Sequence, residues 1–408
     1  MPYRFEDRSE WRYWVTPKGL RSKPIHNWYV FPHSFTSELV HALIKEWGLT
    51  ANDHILDLFE GAGTTILSAK EKGIPATGYD LSPLAVLASS CKIADYDLIE
   101  LELASASLDA NLAIASASGT PKNNIDLIKN ALPVDHICVF ENLVMQIEAL
   151  PITIEERNFF LLGLLATLPI YSRAVAAGGW LRFVEKQTEA ENIPDTFFAA
   201  VRAMLDDLRN TVLPKGDKWN SRLADARCLP SEDEAFSAVI SSPPYPNRHD
   251  YSRVFGVELM FQFLDWNQTR DLRYQLLHSH VEAKPLRPNS DNYVPPDSVI
   301  ACANELRRRK VERRIPTMIE GYFLDMFLCL SEIKRVCKPG AKIALVLGNV
   351  QYVGAPVLVD EWTAEVAEQA GLSVDRLIVA RRRGNSAQQM GVHGIQPSRE
   401  TVIILKRP

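Results

Sequence analysis

The first hundred residues alternate between short apolar runs and helical stretches. An apolar run at His54–Phe59 ends in a glycine-rich turn and leads into a helical stretch at Thr64–Lys72. Glycine and proline then interrupt the chain, a second strand follows at Ala76–Asp80, and another helix begins at Pro83. Strand–helix–strand–helix units of this kind build parallel, doubly wound sheets. The pattern therefore predicts an α/β fold that begins near residue 54.

The alternation stops between residues 105 and 214, where helical patterns dominate. Three long helices are predicted there, at His136–Leu150, Ile154–Ala177 and Pro194–Val212. We therefore divide the chain into residues 1–104, a helical insertion at 105–214, and residues 215–408, which complete the α/β domain.

The strand pattern resumes in the C-terminal half. Strands are predicted at Ser221–Ala224, Phe236–Ser241, Ala341–Leu347, Leu372–Ala380 and Thr401–Lys406. The strand at Ala341–Leu347 follows the turn Lys338-Pro339-Gly340, and a helix is predicted near Glu361–Ala370, before the last two strands. Residues 266–315 are polar, charged and rich in proline, so we expect an irregular segment there.

Composition limits the class of protein. The chain has 408 residues, of which 46% are hydrophobic, and a net charge of −5, which argues against a generally basic surface but allows a local basic cleft. The six cysteines are scattered without a CxxC pair, so we expect no metal site and no disulfide framework. The N-terminus has no apolar signal core, and Phe159–Ile170 is too short to cross a bilayer. These features predict a cytoplasmic protein.

One candidate ligand site is the run Asp57–Thr65, where glycines stand between a strand and a helix. Gly61 and Gly63 would let a ligand approach the backbone, and the helix that begins at Thr64 offers free N–H groups. Asp57 could accept the amino group of an amino-acid-like ligand, and Asp80 could bind ribose hydroxyls. The GxGxxG spacing that cradles a pyrophosphate is absent. The pattern favours a cofactor with a ribose and an amino acid, although a tight turn without a ligand would also need glycine.

The second candidate is Ser241–Tyr245, with the sequence Ser-Ser-Pro-Pro-Tyr, which directly follows an apolar strand. Ligands of open α/β sheets bind at the carboxyl ends of strands, which is where this run lies. The Ser242 hydroxyl and the Pro243 carbonyl could accept hydrogen bonds from a base amino group, Pro244 would stiffen the turn, and Tyr245 could stack on an extruded base. An ordinary Pro-Pro turn with a packing tyrosine is the alternative.

Together the two runs resemble the motifs of S-adenosylmethionine-dependent DNA methyltransferases that modify amino groups. Asp57–Thr65 is similar to their D-P-F-x-G-x-G-T-T motif, with Leu58 in place of proline. Ser241–Tyr245 is similar to the T/S-S-P-P-Y motif, which in that family usually marks N4-cytosine enzymes. Phe31–Phe35 resembles the segment before the cofactor strand. Gly348-Asn349 and Arg399-Glu400-Thr401 resemble the closing elements.

The resemblance implies a Rossmann-like seven-stranded sheet whose last strand is antiparallel, with S-adenosylmethionine as the cofactor. It assigns cofactor binding to Phe35, Asp57, Phe59, Gly61, Gly63, Thr64, Asp80 and Asp225, and catalysis to Ser242, Pro243, Pro244 and Tyr245. For Phe35 a core position, and for Asp225 a loop position without a ligand, are the alternatives. The cofactor motif precedes the catalytic one, the reverse of the most familiar N4-cytosine enzymes.

The implied partner is double-stranded DNA, from which the target base is flipped. We expect a monomer or weak dimer, with a cognate restriction endonuclease as a functional partner. Candidate phosphate contacts are Arg248, Arg308 in the basic run Glu305–Arg314, and Arg381, Arg382 and Arg383, although solvated surface positions would also account for these charges. The helical insertion and residues 266–315 are candidates for reading the DNA sequence.

No Pro-Cys dipeptide occurs, so a cysteine attack on the base ring is not expected and direct methyl transfer is. N6-adenine methylation, RNA base methylation and a non-catalytic binding module remain alternatives.

Overall fold

The computed structural model describes residues 3–114, 120–284, 292–384 and 398–408, with the side chains of residues 112–114 and 383 left out. The main sheet consists of β1 (Phe5–Asp7), β2 (Ile55–Asp57), β3 (Ala76–Asp80), β6 (Trp219–Leu223), β7 (Phe236–Ser241), β8 (Cys337–Gly348), β11 (Ser373–Arg383) and β12 (Ser398–Lys406). Two small hairpins are formed by β4 (Ala174–Ala177) with β5 (Trp180–Phe183), and by β9 (Val350–Tyr352) with β10 (Ala355–Val357).

The helices flank this sheet. They are α1 (Ser37–Trp47), α2 (Thr64–Glu71), α3 (Pro83–Ile93), α4 (Leu98–Ile114), α5 (Asp126–Ala131), α6 (Val134–Glu148), α7 (Ile154–Tyr171), α8 (Asn192–Asn210), α9 (Tyr251–Val254), α10 (Gly256–Gln262), α11 (Trp266–Gln275), α12 (Asp297–Arg308), α13 (Arg314–Val336) and α14 (Val359–Gln369).

The strand order confirms the predicted fold class. It runs β6-β3-β2-β7-β8-β12-β11-β1, and β12 is antiparallel to both of its neighbours while the other pairings are parallel. The predicted seven strands are therefore present in the expected arrangement. An eighth strand, β1, adds to the edge beside β11 and was not predicted, because three residues without an apolar pattern carry no strand signal.

Two hydrophobic clusters cover the two faces of the sheet, and the strands alternate between them. In β2, Ile55 packs with the cluster that contains α1, α2 and α3, whereas Leu56 packs with the cluster that contains α13 and α14. β7 and β8 alternate in the same way. Strands buried on both faces read as continuous apolar runs, which is why the sequence predicts these strands well.

The predicted helical insertion is mainly helical, but one of its helices is shorter than expected. α7 ends at Tyr171, and the following residues form the β4–β5 hairpin around Gly178 and Gly179. Gly178 has a φ of +68°, which a hairpin turn requires and which the apolar pattern does not reveal. The apolar stretch at Phe159–Ile170 belongs to α7, and no helix in the described ranges is long and apolar enough to cross a membrane.

The segment 266–315 contains two regular helices, so the expectation of an irregular segment was wrong. Asp265 caps α11 and forms a capping box with Gln268, and α12 begins directly after Pro296. Proline just before a helix is a start signal rather than a sign of irregular structure. Pro285 and Pro288 lie outside the described residues. The turn predicted at Lys338-Pro339-Gly340 is an irregularity within β8, opposite Phe236–Ala238.

A substitution at Gly63 tests how tightly the cofactor motif is packed. It has a φ of +76°, and a Cβ at this position would lie 2.8 Å from Ser89 Cβ and 2.9 Å from Ser89 Cα. Backbone strain and overlap together should lower the free energy of unfolding of Gly63→Ala by about 2–5 kcal/mol, measured by chemical denaturation.

Gly73→Ala is the matched control, since Gly73 has a φ of +68° but nothing within 4 Å of its added Cβ. Strain alone should cost about 1 kcal/mol there. Equal losses in the two variants would show that contact with α3 does not constrain the motif.

Candidate active site

A cavity of about 1020 Å³, part of it open to solvent, lies at the carboxyl ends of β2, β3 and β7. Eight of the residues predicted for the site line it: Phe35, Asp57, Phe59, Gly61, Thr64, Asp80, Ser242 and Pro244. Because these residues come from motifs about 180 positions apart, the fold brings the two candidate sites into one cavity.

Two buried hydrogen bonds join the cofactor motif to the strand that carries the catalytic motif. Ser241 Oγ donates to Asp57 Oδ1 at 2.6 Å, and Thr65 Oγ1 donates to the Ile240 carbonyl at 3.1 Å. Ser241 and Asp57 are almost completely buried. The first turn of α2 and the end of β7 therefore form a single unit.

Three carboxyl groups line the cavity, and two of them, those of Asp57 and Asp80, lie at the ends of β2 and β3, while the third is Glu60. Asp57 Oδ1 also accepts the Phe59 N–H, while burial raises the pKa of Asp57 to about 6. Asp80 accepts hydrogen bonds from the Gly61 and Ser82 N–H groups, and burial raises its pKa as well. A ligand that brings an ammonium group and sugar hydroxyls would offer donors to both carboxylates.

The segment Phe31–Phe35, which precedes β2 in the chain, forms part of the cavity wall. The Phe31 ring lies 3.5 Å from the point where a Gly61 side chain would begin, and it stacks on Phe255 with ring centroids 4.4 Å apart. Lys92, in α3, is buried and donates to the carbonyls of Tyr29 at 2.6 Å and Ala62 at 2.8 Å. This ammonium thus ties the covering segment to the glycine-rich turn.

The loop with the candidate catalytic residues, 242–246, called the catalytic loop below, is held by bonds to β8 and β9. Ser242 Oγ donates to the Val346 carbonyl at 3.1 Å, so the hydroxyl proton is committed and the oxygen lone pairs remain as acceptors. The Pro246 carbonyl accepts a 2.5 Å hydrogen bond from the Tyr352 hydroxyl. Any side chain at Gly348 would meet Tyr245 Cε2 at 2.9 Å, so only glycine lets this ring lie against β8.

The closing elements named from the sequence meet around a buried carboxylate, Asp360 in α14. It accepts hydrogen bonds from Arg399 Nε at 2.6 Å and from Thr401 Oγ1 at 2.8 Å. The Asn349 side chain accepts its backbone N–H at 3.1 Å. These contacts fix the end of β8 and the start of β12 beside the catalytic loop.

Some predicted residues lie outside the cavity wall. Gly63 packs against Ser89, Tyr245 lies against Gly348, and Pro243 is not among the residues that line the cavity. Asp225 pairs with Arg227 through a 2.7 Å contact, while its neighbours Ala224 and Ala226 line the cavity. Arg227 stands two positions after Asp225 in the sequence, and this neighbouring cation is the signal that was missed.

The candidate DNA contacts are distributed over the carboxyl edge and over α12. Their carboxylate partners are Glu312 for Arg248, Glu305 for Arg308, Glu400 for Arg381 and Asp7 for Arg382, at 3.2, 3.0, 3.2 and 3.4 Å. Arg308 and Arg382 keep 74% and 64% of their side chains exposed. The Arg383 side chain lies outside the description.

Several lining residues were not singled out from the sequence. They are Phe31, His33, Tyr251, Phe255, Leu276, Leu277 and Ser279. Phe31 and His33 stand in the run Phe31–Phe35, which resembles the family's segment before the cofactor strand, and Tyr251 follows Tyr245 closely in the sequence, so these could have been found. Leu276 and Leu277 follow α11, in the segment expected to be irregular, and no local pattern pointed to them.

Comparison with known proteins covers almost the whole chain. It is 29% identical over 456 aligned residues to the Type II methyltransferase M.BsoBI of Geobacillus stearothermophilus, which spans 97% of this chain and 88% of the relative. It is 27% identical to the Type II methyltransferase M.AvaI of Nostoc sp., over 97% of this chain and 89% of the relative. The chain is similar to Type II methyltransferases along nearly its full length.

Other comparisons add little to this similarity. No family model matches the sequence. Among solved structures, a putative sarcosine dimethylglycine methyltransferase from Galdieria sulphuraria aligns over 91% of this chain and 84% of its own length. This similarity is distant, with 8% identity and a TM-score of 0.34.

The relatives support a methyltransferase that uses S-adenosylmethionine. The cavity residues fit this cofactor, since Asp57 and Asp80 provide acceptors for an ammonium group and for ribose hydroxyls, and Phe31 and Phe35 provide an apolar cover. When bound, the cofactor supplies an electrophilic methyl group.

The raised pKa of Asp57 predicts a pH dependence of cofactor binding. If Asp57 holds the ammonium group, it must be ionised, so the affinity for S-adenosylmethionine should rise as the pH increases through about 6. Isothermal titration calorimetry at several pH values across this range measures the affinity. The Asp57→Asn substitution should flatten the profile of affinity against pH.

The control ligand is 5′-methylthioadenosine, which keeps the ribose but lacks the amino-acid part, so its affinity should lack the part of the pH dependence that Asp57 contributes. An equally steep profile for this ligand would remove Asp57 from the ammonium site. In the absence of ligand, the stability of the fold has the opposite pH dependence to cofactor affinity. A carboxyl group whose pKa rises from 3.8 to about 6 on folding contributes stability at low pH, and this contribution is lost as the pH rises through about 6.

Proposed function

We propose that this chain transfers a methyl group from S-adenosylmethionine to the N4 amino group of cytosine in double-stranded DNA. The observation that carries the proposal is Ser242, a residue of the cavity wall whose hydroxyl proton is committed to the Val346 carbonyl, which leaves its oxygen lone pairs as acceptors. The Type II designation of the relatives supports a DNA substrate and a restriction–modification context with a cognate endonuclease.

An exocyclic amino nitrogen is a poor nucleophile, because its lone pair is delocalised into the base ring. The Ser242 oxygen and the Pro243 carbonyl can each accept one of the two amino hydrogens. This pair of acceptors would fix the orientation of the nitrogen, and positioning of this kind supplies much of the rate in a direct transfer. The amino proton is then lost to solvent.

Tyr245 would stack on the flipped base. Its ring lies against Gly348, a position at which any side chain would overlap it, so the ring plane is fixed by the backbone of β8. The aromatic cover of Phe31 and Phe255 would exclude water from the reacting atoms.

DNA would lie across the carboxyl edge of the sheet. Arg381 and Arg382 lie at the end of β11, which is parallel to β8, so they reach the same edge as the catalytic loop. Arg248 follows that loop directly. The exposed Arg382 and Arg308 have the side-chain accessibility that a phosphate contact requires.

Tyr245→Ala tests the stacking role. We expect turnover on DNA to fall on the order of 100-fold, because the flipped base loses its stacking surface and its alignment. The affinity for S-adenosylmethionine should stay within about twofold, since Tyr245 does not line the cofactor part of the cavity.

Tyr245→Phe is the control, because it keeps the ring and removes only the hydroxyl. It should retain most of the activity in single-turnover methylation assays. A Tyr245→Ala variant as active as the parent protein would exclude the stacking role.

Expression in a host that lacks DNA methylation, followed by modification-sensitive sequencing of its genome, tests the substrate. We expect N4-methylcytosine within one short sequence motif. N6-methyladenine in a motif would keep the acceptor mechanism but overturn the choice of base, since N6-adenine enzymes more often have Asp at the position of Ser242. An unmodified genome, with soluble protein that binds S-adenosylmethionine, would contradict the DNA substrate and favour RNA or a non-catalytic role.

A further inference from the structure

The β4–β5 hairpin of the helical insertion is seated directly on the chain that leaves the catalytic loop. A side chain at Gly179 would overlap the Arg248 carbonyl oxygen and would lie 2.9 Å from His249 Cα. Glycine at the tip therefore lets the hairpin backbone touch the backbone of residues 248 and 249. The hairpin tip is thus held against Arg248, which follows Tyr245 by three positions.

The same stretch of chain also forms the rim of the active-site cavity. The Arg248 N–H donates to the Ser279 carbonyl at 2.8 Å, and Ser279 lines the cavity together with Pro244 and Tyr251. The hairpin tip consequently contacts a residue, Arg248, that is hydrogen-bonded to the lining of the cavity.

The two faces of the hairpin differ in character. Leu181 packs against the hydrophobic core and approaches Gly256 of α10. Trp180 and Arg182 project from the opposite face, because residues two apart in a strand share a face. Trp180 is 56% exposed, and Arg182 is exposed without an ion-pair partner in the described part of the chain.

The surroundings of Trp180 suit a nucleic acid better than an apolar partner. It shares a small polar cleft with Arg248, Arg253 and Arg314, and with the carboxylates Asp250 and Glu282, which pair with two of these arginines. His280 also lines this cleft, is 2% exposed, and its Nε2 has no hydrogen-bond partner among the described residues. Because His280 Nδ1 accepts the Glu282 N–H, Nε2 carries a proton and is an unused donor. A large exposed aromatic ring in a polar cleft that also carries cationic side chains is the combination expected of a side chain that enters a base stack.

We propose that Trp180 is the wedge that enters the DNA helix and occupies the space left by the flipped target base. The inference rests on the proposed function, since it needs a duplex DNA substrate. Extrusion of a base leaves a gap in the stack, and an indole that fills it recovers part of the lost stacking free energy. The rigid seat of the hairpin on residues 248 and 249 means that this recovery requires no reordering of the protein.

The test compares two duplexes that carry the recognition sequence found by genome sequencing. In one the target base is correctly paired, and in the other it is mispaired, so that its extrusion costs little. Trp180→Ala should lower kcat/KM on the paired duplex by about 10- to 100-fold and should recover to within about threefold of the parent protein on the mispaired duplex. Trp180→Phe should retain an intermediate activity on the paired duplex.

Phe183→Ala is the matched control, because Phe183 is 51% exposed on the opposite face of the same hairpin. It should leave both rates unchanged. If Trp180→Ala is as active as the parent protein on the paired duplex, or if its loss is equal on both duplexes, Trp180 is not the wedge. Failure of the parent protein to methylate either duplex would instead overturn the proposed function, and with it this inference.

Discussion

The buried hydrogen bond from Ser241 to Asp57 is the contact on which the rest of the site depends. It joins residues 184 positions apart at the ends of two adjacent parallel strands. A carboxyl group buried at this depth needs a polar partner, and the hydroxyl provides one. Since Ser242 is the next residue, the same bond that satisfies Asp57 sets where the catalytic loop begins. The cofactor pocket and the catalytic loop are therefore parts of one structure.

What could be predicted from the sequence depends on local signals at strand ends. The apolar runs of β2, β7 and β8 are buried on both faces, so their composition alone identifies them. The polar residues that follow such strands must lie at one edge of a parallel sheet. For this reason the sequence predicts Asp57, Asp80 and Ser242 for one site, and the three residues do line one cavity. Asn349 and Arg399, which were also singled out, meet around Asp360.

The remaining features depend on contacts that no local pattern contains. The strand β1 exists because Phe5–Asp7 pairs with β11, some 370 positions away. The cavity wall contributed by Leu276 and Leu277 depends on how α11 returns to the sheet. A charge pattern also does not reveal local ion pairs: Arg308 and Arg309, at and just after the end of α12, both pair with Glu305 of that helix.

The position of β11 between β12 and β1 bears on the linear order of the motifs. Lys406 of β12 lies opposite Ser373, and Phe5 of β1 lies opposite Leu377, so β12 ends near the same end of β11 at which β1 begins. A short connection could therefore lead from β12 into β1. A chain connected in that way and opened within the helical insertion would carry the catalytic strand first and the cofactor strand second, on an unchanged sheet. The order of the two motifs along a chain is in this sense independent of the sheet that carries them.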